Sequence, residues 1–200
     1  MSLNQILIDR LGVIMRIVFE GLKNVFRVTY ALVLLMVLIS QTSVQAQFSK
    51  IVVSADGSGD YLSVQEGIDN AADGDTVLIK QGTYVENVVI NNRELVIMGD
   101  SLVNNHTDGF STVIDGELNG GVFAITQGSI VLKNLKIQNG YSQRGGGIFG
   151  AQMDNFKVKH IHIADNFADQ GGGVLLEQVL NGTIKNSIIE YNTAVNGGGL

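Results

Sequence analysis

The chain has 200 residues with 19 acidic and 13 basic side chains, a net charge of −6, and neither cysteine nor proline. An acidic balance opposes nonspecific nucleic-acid binding, so nucleic acid is set aside as a partner. The missing cysteines exclude thiolate chemistry, sulfur-ligated metals and disulfides, leaving stability to the core and the hydrogen bonds.

At the amino end, Arg10, Arg16, Lys23 and Arg27 precede a wholly apolar run from Ala31 to Ile39, and Ser43-Val44-Gln45-Ala46 follows it. This reads as a secretory signal peptide over 1–46, cleaved after Ala46, and a start at Met15 would give a signal of ordinary length. The apolar core of about ten residues is short of the roughly 20 that a membrane span needs, so no integral span is expected in the mature chain. An uncleaved anchor is the competing reading, because the stretch upstream is long and itself amphipathic. Without 1–46 the remainder is more acidic still.

Residues 48–99 read as strand, short helix, strand, turn, strand. Ser63 and Glu66 fit a capping box, with Val64, Ile68, Ala71 and Ala72 on one helical face. Asp73-Gly74-Asp75 is expected to end the helix, and Thr76 to Ile79 to begin the next strand. From Val88 to Ile130 the apolar stretches Val88-Val89-Ile90, Leu95-Val96-Ile97-Met98, Val113-Ile114 and Val122-Phe123-Ala124-Ile125 are irregularly spaced. The polar stretch 104–111, with His106 and Asp108, reads as an excursion, either a ligand-contacting loop or a solvated turn. Asn105-His106-Thr107 and Asn181-Gly182-Thr183 match the glycosylation acceptor pattern, which arises often by chance in Asn-rich repeats.

The last third of the chain repeats. The blocks Gly145-Gly146-Gly147, Gly171-Gly172-Gly173 and Gly197-Gly198-Gly199 recur every 26 residues, in phase with Leu132-Lys133-Asn134, Val158-Lys159-His160 and Ile184-Lys185-Asn186. A fixed period in this range marks a repeat architecture. Apolar residues alternate within each row, as at Ile161 and Ile163, which is the period of a strand. Each row is therefore one coil of β-structure. Stacked in register, the columns Leu132/Val158/Ile184, Leu135/Ile161/Ser187 and Ile137/Ile163/Ile189 fill the interior. Asn166 over Asn192 is expected to stack at a turn, and the glycine triplets are expected to supply positive φ at tight corners.

This pattern resembles the right-handed parallel β-helix proteins of the pectin-lyase-like superfamily, especially secreted repeat proteins carrying I-x-x-N followed by G-G-G-[IV]. It is also similar to the repeats of chlamydial polymorphic outer-membrane proteins, although those favour G-G-A-I and F-x-x-N. Asp56-Gly57-Ser58-Gly59-Asp60-Tyr61 through Gly82-Thr83-Tyr84-Val85-Glu86 is similar to the opening of pectin methylesterases, where the G-x-Y-x-E segment closes the first coil. That likeness implies the fold and not the activity. The esterase motifs Q-D-T-L, D-F-I-F-G and L-G-R-P-W are missing, and Gly147-Ile148-Phe149-Gly150 lacks the aspartate of the second.

The fold expected is thus all-β: a right-handed parallel β-helix over 47–200, with a cap at about 47–75, including a short capping helix, and coils of about 26 residues over about 76–200. Five or six coils are expected, with the handedness taken from the resemblance and from the right-handed rule for parallel crossovers. The sequence ends at Leu200 directly after a glycine block, where earlier rows continue with strand, and so reads as an interrupted repeat.

Candidate chemistry is sparse. Lys133, Lys159 and Lys185 form a column of ammonium groups about 4.8 Å apart, either a docking strip for acidic polysaccharide or a ladder that keeps the surface soluble. Arg144 is a further ligand-contact candidate. His160 and His162 would face one way in a flat strand, but their column mates Asn134, Asn186, Lys136 and Ile188 complete no metal site, so none is expected. Asp154, Asp165, Asp169, Glu177 and Glu190 are scattered among columns, and Arg93 and Arg144 are the only arginines after residue 46. No catalytic residue is assigned and no cofactor is expected; calcium enters only under a lyase alternative, whose elimination needs a carboxylate cluster and a base. The expected function is a secreted or cell-surface scaffold, extracellular or associated with an outer membrane, for adhesion or contact with polysaccharide or surface glycan. The alternative is the amino-terminal part of a polysaccharide lyase or a pectinesterase-like enzyme acting on acidic polysaccharide.

Overall fold

The computed structural model describes residues 3–40, 48–100 and 110–199. The expected cleavage site at Ala46, the acceptor at Asn105, His106, Asp108 and Leu200 lie outside them. The chain forms two compact units, 1–47 and 48–200.

The first unit holds one helix, α1 (Leu3–Ser40). Arg16, Glu20, Lys23 and Arg27 recur at i, i+4, i+7 and i+11 and so share one face. Lys23 Nζ pairs with Glu20 at 2.9 Å and lies 5.0 Å from the centre of the Phe19 ring. No helix among the described residues is long and apolar enough to cross a membrane.

The second unit is built of parallel strands and one short helix. In chain order it runs β1 (Lys50–Val53), α2 (Val64–Asp69), β2 (Thr76–Ile79), β3 (Gly82–Val85), β4 (Val88–Gly99), β5 (Thr112–Asp115), β6 (Phe123–Gln138) and β7 (Tyr141–Arg144). It continues through β8 (Ile148–Ala151), β9 (Asn155–Ala164), β10 (Phe167–Gln170), β11 (Val174–Glu177), β12 (Asn181–Lys185), β13 (Ile188–Glu190) and β14 (Thr193–Asn196). One face stacks six strands deep, β1-β2-β4-β6-β9-β12, all parallel. The coil-to-coil step is 26 residues from Ser129 to Asn155 and again to Asn181. It is shorter from Thr76 to Val96 and longer from Val96 to Val131, which hid the early coils from a search for a fixed period.

Side-chain columns follow from this register. Ile51, Val77, Ile97, Leu132, Val158 and Ile184 form one interior ladder, and Tyr84, Ile114, Ile137, Ile163 and Ile189 another. Phe123 and Phe156 are fully buried, and each contributes on the order of 1.5–3 kcal/mol by leaving water.

The chain turns its corners on columns of left-handed residues. Gly145, Gly171 and Gly197 have φ of 62°, 61° and 68°, but so do non-glycine columns: Asn139/Asp165/Tyr191 at 55°, 59° and 54°, and Asn134/His160/Asn186 at 54°, 53° and 50°. Only the first glycine of each triplet has positive φ, which corrects the expectation that all three serve the corner. The others are glycine for space. A Cβ on Gly146 would lie 2.6 Å from the Gly172 carbonyl oxygen, and one on Gly147 would lie 2.5 Å from that of Gly173. Neighbouring coils meet there backbone to backbone, with the Gly146 and Gly147 amides donating to Gly171 and Gly172.

Asn166 stacks on Asn192 at the turn between β9 and β10, with its side chain directed inside the solenoid. It is 1% exposed. Its Oδ1 accepts from the Gly140 amide at 2.8 Å, and its Nδ2 donates to Ala164 O and Asn192 Oδ1, both at 2.9 Å. The first repeat has Gly140 at this position, where a Cβ would lie 1.9 Å from the Gly146 carbonyl oxygen and no asparagine side chain fits.

Helix α2 lies against the first coils, and its buried Val64 and Ile68 join the apolar interior. Gly67 allows the approach, since a Cβ there would meet Val53 Cγ2 at 2.4 Å. Ser63 Oγ accepts from the Glu66 amide at 3.2 Å, as half of a capping box does. The other half is replaced by Glu86, whose two carboxylate oxygens accept from the Val64 and Gln65 amides at 2.8 and 2.9 Å. The helix ends at Asp69, earlier than Asp73-Gly74-Asp75, and Ala72 is exposed. Arg93 replaces that stop signal by donating to the Ile68 and Ala71 carbonyls. The Gln65 side-chain amide both donates to Val89 O and accepts from Val89 N, so it pairs with the backbone of β4 as a strand would.

Candidate functional site

Strand alternation sends Lys133, Lys159 and Lys185 outward on β6, β9 and β12, in direct register. Lys157, two residues before Lys159, points the same way and joins them. Together with Val131 and Thr183 they line an open groove of about 400 Å³. A column search misses Lys157, because its own column is Val131, Lys157 and Thr183. The i, i+2 spacing of Lys157 and Lys159 was the available signal. Among the described residues, no carboxylate lies within ion-pairing distance of these four lysines. Beside them runs a polar column, Ser129, Asn155 and Asn181. Asn155 Nδ2 donates to Ser129 Oγ at 3.2 Å, and Asn181, the second glycosylation candidate, is exposed and donates to Asp154 O at 3.1 Å.

Arg144 lies apart from this groove. It pairs with Glu177 and sits 4.7 Å from the centre of the Phe149 ring. Column reasoning missed both partners because β7 belongs to a separate sheet from β8 and β11, and the contact crosses a corner. The cluster gathers one carboxylate, one guanidinium and an aromatic ring. Ester hydrolysis through a carboxylate nucleophile also needs a group to protonate the leaving alcohol, which this cluster lacks. The triplet glycines and the two asparagines are placed as described above, in the corners and the interior.

Arg93 is a helix cap whose Nε pairs with Asp73 at 3.6 Å, and it is unavailable as an eliminating base. His160 occupies a corner at φ 53°, so β9 bends between the two histidines and the flat-strand arrangement of His160 and His162 does not occur. His162 Nε2 contacts Glu190 Oε1 at 3.0 Å, and its ring faces Phe110 with centroids 6.0 Å apart. Among the described residues, no three His, Asp or Glu converge as a metal site.

Three aspartates in the cap and early coils have depressed pKa values. Asp56 falls to about 2, chiefly through hydrogen bonding by the Ser58 hydroxyl, then the Ser54 hydroxyl and the Ser58 amide. Asp75 is lowered by the Ser49 amide and then the Ala72 amide, at 2.7 and 2.9 Å. At Asp115 burial pushes upward, but hydrogen bonds from Gln138, the Glu117 amide and Asn139 outweigh it, and the carboxyl is held below the usual range. All three anions stabilise loops. None faces the lysine groove in register.

Parallel strands stacked coil on coil, left-handed corners and the short helix α2 over the first coils define the class: the chain is a parallel β-helix of the pectin-lyase-like superfamily. Within that class, the pectinesterase family model matches residues 50–147. Pectinesterase 1 of Solanum lycopersicum is 34% identical over 97 residues, covering 44% of this chain and 18% of that protein. Pectinesterase 3 of the same species is 33% identical over 96 residues, with the same coverage. The chain thus spans about a fifth of the length of the curated relatives it matches. The matched segment holds the G-x-Y-x-E residues, whose work is now physical. Tyr84 Oη donates to Lys80 O at 3.1 Å and accepts from the Ala55 amide at 3.3 Å, while Glu86 caps α2.

Proposed function

We propose that this chain is the capped amino-terminal portion of a pectinesterase-like protein that engages pectin, an acidic polysaccharide, after export from the cell. The observation carrying this reading is the pectinesterase match over 50–147, the stretch that builds the cap and the early coils. The similarity favours the enzyme over a pure adhesion scaffold and gives no support to an outer-membrane association. The amino-terminal segment acts as the export signal, by its basic flank and apolar run. The test is methanol release from methyl-esterified pectin by the full-length protein. Carboxylate-based ester hydrolysis needs no metal, so a chelator leaves that activity unchanged, whereas a calcium-dependent lyase would stop and would otherwise yield unsaturated uronides. Absence of methanol from a folded protein that still binds pectin refutes the esterase reading.

A second reading, a non-catalytic scaffold in contact with polysaccharide or surface glycan, has its own support. The most regular coils, 148–199, lie beyond the pectinesterase match, and their outward carboxylate Glu177 is tied to Arg144.

A further inference from the structure

We infer that the outer face of β6, β9 and β12 is a binding strip for a polyuronate, an acidic polysaccharide with free carboxylates. The choice of ligand rests on the polysaccharide reading above, while the strip itself rests on geometry. The chain is acidic, with a net charge of −6, yet four lysines gather on this face within three coils. Coils stack about 4.8 Å apart, so the three column lysines stand directly opposite one another on adjacent strands, where like charges are destabilising. With no carboxylate in ion-pairing distance among the described residues, that repulsion stays uncompensated within the fold. An anion repeating along the helix axis relieves it, and a small monoanion meets one or two lysines only.

The remaining groups fit a sugar chain better than a bare polyanion. Ser129, Asn155, Asn181 and Thr183 present hydroxyls and amides beside the cations, and Val131 offers an aliphatic patch between them. Carboxylates meet the lysines while sugar hydroxyls meet the polar column. Methyl esterification removes the charge and so removes the lysine contribution.

The test is titration of the full chain with polygalacturonate oligomers by calorimetry, separate from methanol release, so that binding and hydrolysis can fail independently. Each exposed contact contributes modestly, so Lys159→Gln is expected to weaken binding roughly two- to fivefold, and Lys157→Glu with Lys159→Glu at least about tenfold. Binding is expected to fall with added salt. Lys136→Glu makes the same single charge change as Lys159→Glu on the adjoining stretch of β6, and is expected to leave affinity within about twofold of the unaltered chain. Far-UV circular dichroism confirms that each variant is folded. Three results overturn the inference: no binding of polygalacturonate, equal loss in Lys136→Glu and Lys159→Glu, or equal affinity for fully methyl-esterified pectin. Tighter binding of single-stranded DNA than of polygalacturonate also overturns it, as a generic polyanion surface.

Discussion

Replacing Asn166 with alanine tests the stacked-asparagine interior directly. The side chain is 1% exposed, and its removal strands the Gly140 amide, which it accepts from at 2.8 Å. It also strands its bonds to the Ile137 and Ala164 carbonyls and to Asn192 Oδ1. A buried polar group left without a partner costs about 1–3 kcal/mol. Some of the freed groups regain partners by local shifts, so the loss is expected at about 3–5 kcal/mol rather than the full sum, a large fraction of a domain's stability. Asn166→Asp keeps the acceptor for Gly140 but sets a carboxylate oxygen against the two carbonyls, and is expected to be no better. Asn192→Ala is expected to cost less, because that residue is only half-buried and its side-chain bonds are fewer. Urea unfolding gives the global value, and hydrogen exchange at Gly140 gives the local one, which matters because solenoid coils open by nearest-neighbour steps. A loss below about 1 kcal/mol for Asn166→Ala, with the Gly140 amide still protected, would refute the interior-ladder argument.

Further outcomes follow from the cap, the corners and the aspartates. Glu86→Ala is expected to cost about 1–2 kcal/mol and to speed exchange of the Val64 and Gln65 amides, with Ser63→Ala separating the two caps. Tyr191→Gly is expected to stabilise by about 0.5–1 kcal/mol in urea unfolding, since this residue is 76% exposed and held at φ 54°. Asp56 and Asp75 are depressed in the folded chain, so their stabilisation is fully present above the ordinary carboxylate range near pH 4 and is lost as pH falls toward 2. Urea midpoints are therefore expected to drop below about pH 4, and Asp56→Asn with Asp75→Asn is expected to flatten that drop; an unchanged slope counts against both anions.

Sequence periodicity made the regular coils legible because a parallel solenoid stacks like on like. One fixed offset reveals Leu132 over Val158 and Lys133 over Lys159 at once. The early coils were harder, since the step shortens between Thr76 and Val96 and lengthens before Val131, so only the apolar runs marked them. Contacts that cross a corner were invisible. Arg144 reaches Glu177, Glu86 reaches the Val64 amide, and neither pair shares a column or a strand. The positive φ expected of the triplet glycines holds for the first of each triplet, while the need for space at the other two was hidden, because the closeness of the next coil is set by stacking and not by the residue alone.

The sequence by itself determined a β-solenoid, its 26-residue step and its inward and outward faces, because strand alternation and a fixed period are local facts written along the chain. Tertiary structure alone decided that Asn166 is buried, that Arg93 donates to the carbonyls at the end of a helix, and that Lys157 joins the other three lysines in one groove. Each of those depends on what the neighbouring coil brings to within hydrogen-bonding or van der Waals distance, and that distance exists only once the coils have stacked.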